Sequence, residues 1–113
     1  MRPLNDVRLS EHFVLREFAC PCCRVVMLQP ELLSALQRLR NLWGEPVILT
    51  SGYRCRAHNA AVGGVEDSAH RKGRAADVAV AAVWQPKVIA LAGQAGFAAI
   101  LPYPRRHFIH LAV

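Results

Sequence analysis

No apolar run in this 113-residue chain is long enough to cross a membrane. The most apolar stretch, Ala75 to Trp84, is about half the length a span needs, and Asp77 breaks it. The first six residues, Met1 to Asp6, lack the apolar segment of a secretory signal, so none is read and synthesis in the cytoplasm is expected. Internal repeats and low-complexity tracts are also absent. Acidic side chains are few: eight Asp and Glu stand against fourteen Lys and Arg, a net charge of +6. Charged residues make up only 19% of the chain and hydrophobic residues 53%, which excludes intrinsic disorder. At this length the chain builds one core rather than two. The basic excess, mostly arginine, suits an anionic partner without choosing among nucleic acid, a membrane surface and bacterial cell-wall polymer. No recognition-helix pattern or interleaving of aromatic and basic residues is present, so nucleic acid is not the expected partner.

What is present reads as a single α+β domain over residues 1–113, with a loop-rich segment over 1–28 and a core over 29–113. Leu15 to Phe18 can form one short helical turn. Pro30 opens a helix whose Leu32, Leu33, Leu36, Leu39 and Trp43 share one face, and Gly44 ends it. Pro46 to Thr50 reads as a buried strand, Ala57 to Val62 as a brief helix closed by Gly63-Gly64, and Arg74 to Val80 as a strand. A further helix starts at Pro86. Strands are expected over Phe97–Leu101 and Phe108–Val113, with a turn at Pro102-Tyr103-Pro104. Short links and two final strands in sequence predict a mixed or antiparallel sheet with helices packed on it.

The four cysteines, Cys20, Cys22, Cys23 and Cys55, leave three readings open: free thiols, a disulfide from the first cluster to Cys55, or a metal site that the cluster forms with Cys55 and His58. Adjacent Cys22 and Cys23 would pair with each other only under strain, and the doubled C-x-x-C spacing of a zinc ribbon is missing. Two other features are costly in an apolar core. Asp77 lies in an Ala/Val strand and requires a partner if buried. His110 lies in the otherwise apolar run Phe108 to Val113. With His70, seven residues before Asp77, they make two imidazoles and a carboxylate. That set suits zinc, and three protein ligands leave a fourth position open, as in catalytic sites. The alternative is that His110 is a satisfied core histidine and Asp77 pairs with Arg71 or Arg74.

The run Ser68 to Asp77 fits S-x-H-x-x-G-x-A-x-D without a mismatch. It resembles the signature of the zinc D-alanyl-D-alanine carboxypeptidase family, whose fold is shared with the hedgehog signalling domain. Thr50-Ser51-Gly52-Tyr53-Arg54-Cys55, His58-Asn59, Val62-Gly63-Gly64 and Phe108-Ile109-His110-Leu111 are similar to that family too. Leu9 to Phe13 and Glu17 to Cys20 resemble its small phage-borne branch. The resemblance implies a hedgehog/D,D-peptidase-like fold and one Zn²⁺ held by His70, Asp77 and His110. It implies a substrate-carboxylate clamp at Arg54 and a substrate- or ligand-orienting role for Ser68. A guanidinium suits the clamp because it binds a carboxylate bidentately. The implied activity is a metallopeptidase, a hydrolase cutting peptidoglycan stem-peptide bonds, most simply as a D-alanyl-D-alanine carboxypeptidase; a phage lysin acting on the cell wall is the implied setting. Arg71, Lys72, Arg74, Arg105 and Arg106 are expected to flank the site.

The chain departs from the family pattern twice. Where the family usually carries an acidic general base, three residues before the last ligand, this chain has His107. Many relatives have Asp two residues after that ligand; here it is Ala112. A neutral histidine can serve as a base near its ordinary pKa of about 6.5. In a regular strand, however, residue 107 faces away from residue 110, so His107 reaches the site only if the strand begins or bulges there. The two departures also keep a second function in view: a zinc-retaining wall-binding or phage-particle module of the same fold without catalysis.

Overall fold

The computed structural model describes Asn5 and residues 7–113. The residues read for a secretory signal lie, apart from Asn5, outside that description. Three α-helices and four strands follow in the order α1 (Pro30–Trp43), β1 (Leu49–Ser51), α2 (Arg56–Ala61), β2 (Ala75–Ala79), α3 (Gln85–Ala95), β3 (Ala99–Tyr103) and β4 (Phe108–Ala112). The sheet runs β1-β2-β4-β3, and every neighbouring pair is antiparallel. Of the mixed or antiparallel sheet expected, this is the antiparallel one. No helix among the described residues is long and apolar enough to cross a membrane.

Helix α1 forms as its pattern dictates. Pro30 sits in the first turn, where a missing N–H costs nothing, and Gly44 closes the helix in the left-handed conformation with its amide on the Arg40 carbonyl at 2.9 Å. Leu32, Leu36 and Leu39 are fully buried. They join Val88 and Ala92 of α3 and the inward set Ala76, Val78, Ile109 and Leu111 of the two central strands. The Arg38 Nε donates to the Ala95 carbonyl at 2.8 Å and ties the end of α3 to α1. Side chains alternate across a strand, so Asp77, Phe108 and His110 stand on the opposite face of the sheet from this core.

Two strands differ from expectation. β1 is confined to Leu49–Ser51 because Pro46 brings no donor, Val47 is drawn into the core, and the register shifts between Leu49 and Ser51. β3 runs two residues later than read, through Pro102 to Tyr103. It is an edge strand, where proline's missing N–H is tolerated, and Pro102 pairs with Ile109. The turn expected at residues 102–104 is accordingly displaced to a 3₁₀ turn over Pro104–Arg106.

The N-terminal segment is loop-rich, with one 3₁₀ turn at Leu15–Phe18. Its Phe13 and Phe18 are buried, with ring centroids 6.0 Å apart. The Phe18 carbonyl accepts the Tyr53 amide at 2.9 Å. A Cβ on Gly52 would lie 2.7 Å from the Phe18 Cα, so only glycine allows this approach. The segment therefore buttresses the loop that carries Arg54.

Candidate metal centre

Sheet register puts two of the expected ligands side by side. Asp77 on β2 is the direct partner of His110 on β4. Directly opposed residues of an antiparallel pair stand about 5 Å apart on one face. His70 arrives on a 3₁₀ turn, Ala69–Lys72. The Ser68 hydroxyl accepts the His70 amide at 3.2 Å and caps that turn, and Gly73 ends it with φ +67°. Ser68 thus contacts the turn that carries the ligand rather than lining the cleft described below.

The three side chains converge. His70 Nε2 lies 3.2 Å from Asp77 Oδ1 and 3.2 Å from His110 Nδ1, and His110 Nδ1 lies 3.0 Å from the same Asp77 oxygen. His70 is 1% exposed. Its Nδ1 lies 2.8 Å from the Gly52 carbonyl, which can only accept, so the ring donates there and turns an unprotonated Nε2 toward the other two. Two imidazole nitrogens and a carboxylate oxygen packed this closely are three potential donors of electron pairs to one centre. A shared cation satisfies all three at once, whereas protons satisfy them only in part. Ligands of a tetrahedral zinc are about 3.4 Å apart, close to the spacing seen. The donor set therefore fits zinc. Burial pushes the Asp77 carboxyl upward, but the facing His110 and His70 rings outweigh it and hold the group well below the usual carboxylate range.

Asp77 pairs with neither Arg71 nor Arg74. Its second oxygen, Oδ2, takes Arg54 Nη2 at 3.3 Å. Arg54 also donates from Nε to Ser51 Oγ and from Nη1 to Asn59 Oδ1, both at 3.2 Å. This is a largely buried ion pair, not a surface bridge. Asn59, 2% exposed, anchors itself through Nδ2 to the Val65 carbonyl at 2.7 Å. A Cβ on Gly64 would overlap the Asn59 amide and press on Arg54 Nη1. Sequence reasoning gave Ser51 and Asn59 no role. The available signal was an asparagine four residues before the glycine pair Gly63-Gly64.

Arg54 and Asp77 line a cleft of about 410 Å³ together with Thr50, Ser51, His58, Arg106 and His107. His107 reaches it because β4 begins only at Phe108: His107 has φ +54° at the end of the preceding 3₁₀ turn. Its Nδ1 accepts the Ala82 amide at 3.2 Å. His58, read in the sequence as a possible metal ligand with the cysteines, stands outside their cluster and lines this cleft instead, and among the described residues no side-chain hydrogen bond engages its ring. Of the five basic residues expected around the site, Arg106 lines the cleft, with its guanidinium over the Phe108 ring. Arg71 donates to the Glu66 carbonyl, Lys72 pairs with Asp67 at 2.7 Å, and Arg74 turns to the Val113 carbonyl. Ala112, at the position where the resemblance points to an aspartate, is buried opposite Ala75 and Ala99.

No curated protein matches the chain significantly. The family profile of Peptidase M15 matches residues 11–112, nearly the whole length, and spans every residue of the centre described above. That match supports a hydrolase of the metalloprotease type with zinc in its site. The chain belongs to the Peptidase M15 family, that of the zinc D-alanyl-D-alanine carboxypeptidases.

Proposed function

We propose that this protein is a zinc-dependent D-alanyl-D-alanine carboxypeptidase acting on the stem peptide of peptidoglycan. One observation carries the reading: His70 and His110 converge on Asp77, which itself lines the cleft beside an arginine with spare donors. His70 Nε2, Asp77 Oδ1 and His110 Nδ1 would hold the metal. Zinc, when bound, supplies Lewis acidity to the scissile carbonyl and lowers the pKa of the attacking water to about 7.

The chain's own residues do the rest. Arg54 spends three of its five N–H groups on Ser51, Asn59 and Asp77. The remaining two serve the free carboxylate of a peptide end, which sets the register of the bond to be cut. His107 handles a proton at the rim. With Nδ1 engaged by the Ala82 amide, Nε2 is the ring atom left to exchange one. In the neutral ring that hydrogen bond places the proton on Nε2, a donor for charge developing on the carbonyl oxygen. To accept a proton there, the ring must give up Ala82. His58, whose ring lacks that engagement, is the second base candidate on the cleft. A zinc-retaining wall-binding module without hydrolysis is the alternative function, favoured by the His107–Ala82 contact and by Ala112.

The test pairs two measurements on one zinc-loaded sample: zinc at the His70–Asp77–His110 centre, and release of D-alanine from a stem pentapeptide. Chelator-sensitive release supports the carboxypeptidase. Bound zinc with no cleavage of the pentapeptide or of intact peptidoglycan overturns it in favour of the binding module. Among active variants, loss of the rate in His107→Ala assigns the proton to His107; loss in His58→Ala alone assigns it to His58.

A further inference from the structure

The four cysteines lie outside the centre described above, and the fold brings all four together. Residues 20–25 close a tight loop: the Cys20 amide donates to the Val25 carbonyl at 2.9 Å, and the Arg24 amide donates to the Cys20 carbonyl at 2.7 Å. Arg24 takes a left-handed conformation, φ +61°, to make the return. That loop folds Cys22 and Cys23 back over Cys20. Cys55 comes from a distant part of the chain, as the residue that caps α2. Its Sγ lies 3.2 Å from that of Cys22, and Cys20 Sγ lies 3.5 Å from Cys22 Sγ. All four sulfurs fall within 4.8 Å of one another.

We propose that Cys20, Cys22, Cys23 and Cys55 form a tetrathiolate site for a second Zn²⁺, separate from the catalytic centre. Four sulfurs around a tetrahedral zinc stand about 3.8 Å apart, given a Zn–S distance of about 2.3 Å. Two of the separations, 3.2 and 3.5 Å, lie somewhat below that value, and none exceeds 4.8 Å, so a small outward shift of the sulfurs admits the ion. Soft thiolate donors in a set of four select zinc over harder divalent cations. Backbone amides already serve the sulfurs, as in a ligand shell: the Cys55 amide donates to Cys20 Sγ at 3.5 Å and the His58 amide to Cys55 Sγ at 3.4 Å. A Cys22–Cys55 disulfide would use two sulfurs and give no reason for the other two to gather. Cys20 is moreover fully buried, so its sulfur is served from within the cluster.

The placement gives the metal a structural task. Cys55 follows Arg54 directly, and Cys20 lies two residues beyond Phe18, whose carbonyl holds Tyr53. A metal bridging the two segments pins the Arg54 loop to the N-terminal segment at a second point. The existence of this site does not rest on the proposed activity.

The experiment counts metal in the full chain, purified with zinc present and without chelator. Wild type should carry two zinc ions per chain, and a His70→Ala/His110→Ala double variant one. Reloaded with Co²⁺, that double variant should still show the thiolate-to-cobalt charge-transfer band, which only sulfur ligands produce. Cys22→Ser/Cys55→Ser should lose one zinc and the band. Because that variant can fail to fold, a thiol count on wild type, denatured in chelator without reductant, gives an independent readout. Four reactive thiols are expected. Two missing thiols, or a histidine variant with neither zinc nor the cobalt band, would overturn the site. Neither result would touch the His70–Asp77–His110 centre, whose zinc is read separately in the cysteine variant.

Discussion

Arg54 holds three side chains in this structure and is proposed to clamp a substrate carboxylate, and one substitution series separates the two tasks. Its fork holds Asp77 Oδ2, Asn59 Oδ1 and Ser51 Oγ. The two charged side chains of the ion pair are only 14% and 10% exposed. Replacing Arg54 with methionine keeps the apolar stem but leaves Asp77 and Asn59 oxygens buried without their donor. Breaking such a pair from one side costs about 3–5 kcal/mol, and partial solvent access places this case near about 3 kcal/mol. For a domain of this size that lowers Tm by roughly 12 °C. Arg54→Lys keeps the charge but cannot reach three acceptors from one ammonium, so it should recover only part of the loss. Urea and thermal unfolding at one fixed free zinc concentration measure both variants. Because Arg54 orients the carboxylate proposed to hold the metal, zinc affinity should fall about 10–100-fold in the methionine variant. The second task shows in kinetics: wild type should prefer a free peptide carboxylate over an amidated end, and Arg54→Lys should narrow that preference. A methionine variant that melts within about 2 °C of wild type and keeps its zinc affinity would refute the structural argument. An amidated substrate cut as fast as the free acid by wild type would refute the clamp.

Three further substitutions probe the same architecture. His110→Ala removes one of the three converging ligands and should abolish zinc binding at this centre; equilibrium dialysis showing unchanged occupancy would return His110 to an ordinary strand residue. Gly52→Ala should destabilise the fold by about 1–3 kcal/mol in urea unfolding, since its methyl would sit 2.7 Å from the Phe18 backbone. It should also weaken zinc binding, because the Gly52 carbonyl orients His70. Leu36→Ala, in the core between α1 and the sheet, should cost about 2–5 kcal/mol while the zinc affinity of the folded protein stays unchanged; a matching loss of affinity would contradict the separation of the two sheet faces.

The fold was legible in the sequence wherever one face of an element is buried. The leucine spacing of α1 and its proline and glycine punctuation read correctly, because propensity, pattern and caps agree there. The strands were legible in kind but not in extent. β1 looked like a five-residue apolar run, yet burial of Val47 and a register shift leave three residues in the ladder. β3 was cut short in the reading at Pro102, because a chain met as sequence does not reveal which strand will be at an edge.

The centre divides along the same physical line. Asp77 and His110 stood out because a carboxylate and an imidazole in apolar strands demand an explanation that alanine and valine do not, and the register supplies it by setting them face to face. Residues whose role comes from tertiary placement gave no such signal. Asn59 is one polar residue in a short polar helix until Arg54 folds onto it. The side chain of His107 is decided by a left-handed backbone at position 107 and an amide twenty-five residues away, at Ala82. Periodicity over residues 107–113 points that side chain to the wrong face, and only the late start of β4 brings it to the cleft. The same holds for the cysteines. Their spacing matches no ribbon, because three come from one loop and the fourth from the end of another, and the packing of Phe18 against Gly52 and Tyr53 brings those loops together. A pattern search tuned to local spacing misses such a site on principle, since its ligands are neighbours only after the chain has folded.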